Sequence, residues 1–334
     1  MRRIDCHGRM IQFFSSRDCV SRDRMRNRAL AWWAAVALAL ASFLPEARAS
    51  EKFSVATFNL ENYIDVPLGT RPVKSEEGRR KIRESIRALH PDVLGLQEIG
   101  STNALLELRS SLKAEGLDYP YWEHVAGFDT NIYVAVLSRF PITARRPHSR
   151  DGFLLNGRRF RLTRGIAEVD IQVSSTYSFT LMVAHLKSRR PAAEADEADL
   201  REQEALVLRE KIEARLRPNG NANLLVIGDL NDVKDAPSTR AVIGKGKLGL
   251  VDTRPAERNG DSEPSAHARL TARNVTWTHF YAKEDTYSRL DYILASHGMA
   301  REWDPAGTYV LALPGWGLAS DHRPILASFI AEDQ

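Results

Sequence analysis

Eight side chains of this 334-residue chain place a carboxylate, amide or imidazole at or just beyond the end of an apolar run. Asn59 closes VATFN, Glu98 closes VLGLQE and His185 closes TLMVAH. Asp229 and Asn231 end LLVIGDLN, Asp291 lies in SRLDYILAS, and Asp321 and His322 lie in ASDHRPI. A single aspartate after a strand commonly serves as a turn or cap. Eight groups in the same context ask for a shared reason, because loops at strand ends are where a rigid scaffold presents reactive groups. Carboxylates gathered there repel one another unless a cation or a substrate sits among them. Oxygen donors without cysteine suit a hard cation such as Mg²⁺, with Mn²⁺ or Ca²⁺ as alternatives. A zinc centre would need a His or Cys cluster, and the chain has neither HExxH nor a cysteine pair at metal spacing.

The elements that must position these groups alternate. Strands are expected at Phe53–Asn59, Val93–Gln97, Tyr133–Ser138, Ile166–Val173, Ser178–Ala184, Leu224–Gly228, Thr276–Tyr281, Leu290–Ala295 and Pro324–Ile330. Helices are expected over 75–90, capped by Ser75 and stopped before Pro91, over 102–115, closed by Gly116, and over 194–216, rich in Glu/Arg pairs at helical spacing. Phe153–Leu162 reads as a hairpin, with Asn156-Gly157 supplying a left-handed turn. Helices interspersed among hairpin-linked strands predict an α/β fold of mixed sheets covered by helices. No glycine-rich loop follows the first strand, which argues against a nucleotide cofactor.

The N-terminus reads as an export signal. Leu30–Leu44 is apolar and uncharged, Arg26 and Arg28 precede it, and Ala47-Arg48-Ala49 forms a small-x-small cleavage site. Met25 would start a leader of ordinary length, so residues 1–24 are expected to be an extension. Residues 50–334, without repeat or low-complexity linker, are expected to form one domain acting as a monomer, secreted or periplasmic, with no membrane anchor after cleavage. Residues 1–49 hold nine of the 47 Lys/Arg, four of the 43 Asp/Glu and both cysteines, Cys6 and Cys19. What remains is close to electrical balance, so binding to a polyanion must come from a local patch.

The motifs TFNLEN, LQE, LSRFPI, RG, AHLKS, GDLND, LDYIL and SDHRPI, in this order from Phe53 to Ile330, resemble those of the endonuclease/exonuclease/phosphatase superfamily. The resemblance implies a DNase I-like four-layer sandwich, two packed mixed β-sheets flanked by helices. It also implies roles. Glu98 would be the main Mg²⁺ ligand, supported by Asn59 and Asp321. His322, oriented by Asp291, would act as general base or stabilise the scissile phosphate. Asp229 would position or deprotonate the attacking water, and Asn231 would hold that water or a phosphate oxygen. His185 would contact the phosphate or protonate the leaving group. Metal Lewis acidity and a His–Asp pair are what phosphodiester hydrolysis requires. One departure stands out: where some relatives place a glutamate beside the first histidine, this chain has Asp129, Thr130 and Asn131.

The family cleaves DNA, RNA, sphingomyelin and inositol phosphates, so the motifs leave the substrate open. Arginines of the hairpin region (Arg150, Arg158, Arg159, Arg161), Arg164 of the RG motif, and Lys187, Arg189 and Arg190 beyond the first histidine predict contacts with flanking phosphates. Trp316 and Tyr309, just before SDHRPI, offer a ring to a base or lipid chain, or to the core. A secreted nuclease is the leading expectation. A lipid or small-molecule phosphodiesterase or phosphatase comes second, and a binding relative without catalysis third. The leader has a direct test: exported protein should begin at Ser50 on N-terminal sequencing, and membrane-bound protein retaining residues 30–44 would refute cleavage.

Overall fold

The computed structural model describes residues 51–69, 71–258 and 277–333. The leader, the cysteines and Thr276 lie outside them. Among the described residues no helix is long and apolar enough to cross a membrane.

Strand composition explains the layering. In β1 (Lys52–Tyr63), Phe53 and Val55 face one apolar cluster, and Ala56, Phe58 and Leu60 face another. β10 (Leu224–Asp229) likewise sends Leu225 and Ile227 to the first cluster and Leu224 and Val226 to a third. A strand apolar on both faces is a central strand covered on both sides.

The remaining elements complete two sheets. In chain order they are α1 (Glu76–Leu89), β2 (Val93–Ile99), α2 (Thr102–Ala114), β3 (Tyr121–Val125), β4 (Tyr133–Ser138) and β5 (Ile142–His148). Next come β6 (Gly152–Leu155), β7 (Arg158–Arg161), β8 (Ile166–Gln172), β9 (Ser178–His185), α3 (Glu197–Leu216) and, after β10, α4 (Pro237–Ile243). The C-terminal part contains β11 (Val251–Asp252), β12 (Ala256–Glu257), β13 (His279–Tyr281), β14 (Thr286–Ser288), β15 (Asp291–Ala295), β16 (Trp303–Val310) and β17 (Ile325–Ile330). One mixed sheet runs β12-β16-β17-β1-β2-β4-β3 and the other β11-β15-β10-β9-β8-β5. The first cluster lies between the sheets. Ile82, Ile86 and Leu89 of α1 and Leu105, Leu108 and Leu112 of α2 cover the outer face of the first sheet. Leu208, Ile212 and Leu216 of α3 and Val242 of α4 cover the second. The fold is the expected four-layer α/β sandwich. Gly95 is required by that packing, since a Cβ there would meet Ile227 Cδ1 at 2.6 Å across the sheet interface.

The structure refines several boundaries. Asp196, rather than a residue near 194, caps α3 through its Oδ1, which accepts from Ala198 N at 2.9 Å. The hairpin forms as β6–β7, a separate two-stranded sheet, with Asn156 and Gly157 both at positive φ. The strand expected at Thr276–Tyr281 is ordered pairing only over His279–Tyr281. β3, β5, β16 and α4 had no clear signal. β3 and β5 are edge strands, and β5 carries Arg145, Arg146 and Pro147, residues that edges admit and that erase the apolar alternation.

The edge at β5 is fastened ionically. Glu168 of β8 is 2% exposed, 2.7 Å from His148 Nε2 and 2.5 Å from Arg146 Nε, and it also pairs with Arg215 of α3. Burial pushes this carboxyl up, but the hydrogen bonds from His148 and Arg146 and the charge of Arg215 outweigh it and hold it at about 2. A depressed carboxyl stabilises the fold above its unfolded value near 4.5 and loses that contribution as the pH falls toward 2. Glu168→Gln should therefore cost up to about 3 kcal/mol at pH 7, because the buried side chain loses its charge-assisted bonds to Arg146, His148 and Arg215. In urea denaturation the gap to wild type should narrow steadily below pH 4.5, and a pH-independent gap would refute this account.

Candidate active site

Strand register aligns the first half of the site. β9 and β10 run parallel with His185 opposite Asp229, and β10 and β15 run antiparallel with Asp229 opposite Asp291. The second half comes from the first sheet, where parallel β1 and β2 set Asn59 opposite Gln97, one residue before Glu98. The loop before β17 carries Asp321 and His322. It is tied to the end of β1 by Ser320, whose hydroxyl donates to Asn59 O at 2.8 Å and accepts from His322 N at 3.0 Å.

Asp229 lies where the two halves meet. Its Oδ2 accepts from Asn59 Nδ2 at 3.0 Å and lies 3.6 Å from His185 Nε2 and 3.7 Å from His322 Nε2. Its Oδ1 accepts from Asn231 N at 2.7 Å. His322 Nδ1 is 2.8 Å from Asp291 Oδ2. Burial first, then the charge of Asp291, raises the Asp229 carboxyl to about 6. Burial opposes charge on His322 too, but Asp291, Asp229 and Asp321 surround it, and their negative charge holds the imidazole well above the ordinary histidine value. This imidazole and its carboxylates thus keep a proton at neutral pH.

His185 is the opposite case. Burial and the positive charges of Arg164, His322 and Arg71 hold it well below the ordinary value, so it is neutral. Its Nδ1 has no hydrogen-bond partner among the described residues. The nearby acid, Asp129, does not serve it: Asp129 Oδ2 lies 3.9 Å from Arg164 Nε.

His185, Asp229, Asn231 and His322 line a cleft of about 530 Å³, within the range of ligand sites. Glu61, Asn62, Glu98 and Asp321 line it as well. Asn62 N donates to Glu98 Oε2 at 3.0 Å, while Asn62 Oδ1 is buried without a partner among the described residues. Burial and the charge of Asp321 raise the Glu61 carboxyl, and Lys74 Nζ, 3.5 Å from Glu61 Oε2, supplies a counter-charge. An orphaned amide oxygen among three carboxylates fits a hard cation.

Asn59, expected among the ligands, has its amide engaged elsewhere. Its Nδ2 holds Asp229 and its Oδ1 accepts from Glu61 N at 3.0 Å. Asn231 gives one N–H to Leu186 O at 2.9 Å, leaving one for a ligand. His279, which the sequence did not single out, joins Asp321 and His322 in a cluster with ligand atoms within 4.8 Å of one another. Its ring packs on His322 at 4.6 Å. A histidine inside THFY carries no signal, because only backbone pairing with the distant Asp321–Arg323 loop and with β14 brings it to the cleft.

The expected basic contacts divide. Arg164, Arg189 and Arg190 line the cleft, with Arg71 from the loop after β1. Lys187 does not line it; its ammonium donates to the carbonyls of Ser188 and Arg190. Arg158 and Arg159 sit on the β6–β7 hairpin outside the cleft, and Arg158 donates to Glu194 O. Trp316 packs on Trp277 at 5.1 Å, and Tyr309 lies under Arg258. Four non-glycine residues at the cleft have left-handed backbones, Glu61 (φ 46°), Asn62 (58°), Glu98 (59°) and Asn231 (54°).

Comparison with solved structures places this arrangement. The chain is similar to truncated TDP2 from Caenorhabditis elegans (TM-score 0.56, 16% identity, 84% of this chain and 98% of that one). It is similar to the human nocturnin catalytic domain with bound sulfate anion (0.56, 17%, 83% and 94%). It is also similar to sphingomyelinase C from Streptomyces griseocarneus (0.54, 18%, 84% and 100%). At these identities the likeness is one of fold. No curated protein sequence matches the chain. Residues 56–322, most of the chain, match the sequence profile of the Endonuclease/Exonuclease/phosphatase family, and the chain belongs to that family.

Proposed function

We propose that this protein is an exported, divalent-metal-dependent phosphodiesterase acting on nucleic acid. The family consists of phosphoric ester hydrolases that use divalent metals. The observation that carries the finer reading is the cleft itself, which Asp229 and the Asp291-bonded His322 line together with Arg71, Arg164, Arg189 and Arg190. Arginine is suited to repeated phosphates. The sulfate bound by the nocturnin domain is consistent with an anion site in this fold. Export rests on the leader sequence alone.

Glu98 and Asp321, with Glu61 and Asn62 beside them, would hold the cation, which when bound supplies Lewis acidity to a phosphoryl oxygen. Asp229, its carboxyl raised to about 6, is poised to take the proton of the attacking water. Protonated His322, kept in place by Asp291, donates to the phosphoryl oxygens as charge builds there. Neutral His185 donates one hydrogen bond to the phosphate on the other side of Asp229. The free N–H of Asn231 orients the water or an oxygen without adding negative charge.

A second reading, a lipid phosphodiesterase, has one observation in its favour. The β13–β14 hairpin beside the cleft exposes Tyr281 (42%) and Tyr287 (54%), rings that could seat at a bilayer surface. A panel of plasmid DNA, RNA, sphingomyelin micelles and bis-nitrophenyl phosphate, with Mg²⁺ or Mn²⁺, decides between them. Nucleic acid should be hydrolysed fastest, and EDTA should abolish turnover. Resistance of DNA and RNA at low salt, with sphingomyelin cleaved, would establish the second reading instead.

Two variants test the roles. His322→Ala should lower turnover at least ~10²-fold, the usual size of an acid–base or proton-donor contribution. Asn59→Ala should move the acidic limb of kcat/KM to higher pH, because Asn59 donates to the Asp229 carboxylate and that donation lowers its pKa. An unmoved acidic limb would remove Asp229 as the base.

A further inference from the structure

The cleft holds more positive charge on its His185 side than the hydrolysis of one diester needs. Arg164 is 6% exposed, and its Nη1 donates to Leu186 O at 3.2 Å, which fixes the guanidinium beside His185. Its Nε is buried without a hydrogen-bond partner among the described residues; Asp129, 3.9 Å away, and the buried Glu204 carboxylate supply counter-charge without a hydrogen bond to it. Arg71 is set by a short turn in which the backbones of Leu68 and Arg71 exchange two hydrogen bonds of 3.0 Å. Its Nη1 is also buried and unpartnered, and its guanidinium meets no carboxylate among the described residues. Both arginines line the cleft, and both lie close enough to His185 to disfavour its protonation.

A buried, unspent N–H of a guanidinium is costly unless an anion satisfies it. The scissile diester carries one negative charge, and its neutralisation would fall to His322 and to the cation that Glu98 and Asp321 would hold. Arg71 and Arg164 are therefore left for another anion. Thr163 and Lys187, which flank Arg164 and the His185–Leu186 pair, are held together by Glu204 of α3, whose carboxylate accepts both backbone N–H groups at 2.7 Å. The subsite is thus braced from behind by a helix.

Resting on the phosphodiesterase reading, we propose that Arg71 and Arg164 form a second phosphate subsite beside His185, so that the preferred substrate carries another phosphoryl group next to the scissile one. That group is either the neighbouring diester of a polynucleotide or a terminal monoester; the chemistry recognised is the same.

Calorimetric titration of the full chain in EDTA tests this without turnover. The probes are thymidine 3′,5′-bisphosphate and the thymidine 3′- and 5′-monophosphates. Hydrogen bonds to charged groups predict that the bisphosphate binds about tenfold or more tighter than either monophosphate. Arg71→Gln and Arg164→Gln should each shrink that preference below about threefold. A wild-type preference under threefold, or one that survives both changes, overturns the subsite. Thermal melting accompanies each variant, and if Arg164→Gln fails to fold, the half-exposed Arg71→Gln decides alone. Thymidine trinucleotide without terminal phosphates distinguishes the two sources: affinity matching the bisphosphate upholds the subsite as a reader of polymer backbone, and affinity matching the monophosphates upholds it as a reader of a terminal phosphate. Hydrolysis is scored separately, so an absence of turnover on every ester with Mg²⁺ or Mn²⁺ would sink the phosphodiesterase reading while leaving the measured preference intact.

Discussion

The site depends on one buried hydrogen bond, from Asn59 Nδ2 in the first sheet to Asp229 Oδ2 in the second. Most of the interface between the sheets is apolar, and apolar burial is non-directional. Such an interface holds the sheets together without specifying where one stops against the other. The site needs that specification, because each sheet contributes half of it. Glu98 and the loop bearing Asp321 and His322 belong to the first sheet, and His185, Asp229 and Asp291 to the second. The His322–Asp291 contact at 2.8 Å is a second tie across the same gap. Gly95 and Ile227 set the spacing below, and the two polar ties set the registration above.

The same placement produces the electrostatics. Asp229 is deprived of water by both sheets, so its carboxyl rises, and the imidazole trapped between Asp229 and Asp291 rises with it. His185, two strands from Asp291 in the same row of the sheet, faces arginines instead and stays neutral. Two histidines within reach of one carboxylate oxygen thus hold different charge states, because their other neighbours differ in sign. That asymmetry lets one imidazole act as a cation and the other as a neutral hydrogen-bonding group.

Much of this was legible in the sequence, and the remainder was hidden for physical reasons. Central strands such as LLVIGD and VLGLQE are apolar on both faces, so a polar group at their end is conspicuous. Strands nearer the edges are not: β5, at an edge, and β16, one strand in, carry Arg, Pro and Gly where alternation would show. Asn59 and Glu98 stood out by position, yet position could not show that Asn59 spends its amide on Asp229 while Asn62, three residues on, leaves an oxygen free. Arg158 and Arg159 were conspicuous by charge but belong to a hairpin outside the cleft, whereas Arg71, alone in a loop of mixed composition, reaches it. Clustering along a chain reports local composition; convergence in a cleft depends on contacts between distant segments.

The left-handed backbones at Glu61, Asn62, Glu98 and Asn231 bear on how this protein can be altered. A side chain with a Cβ is disfavoured in that region of conformational space, and glycine is not. At these four places the folded state would gain from losing its side chain, while the cleft would lose a carboxylate or an amide. Selection for thermal robustness alone would drift toward glycine there and erode the cleft. Stabilising this scaffold for use therefore calls for changes elsewhere, with these four residues held constant.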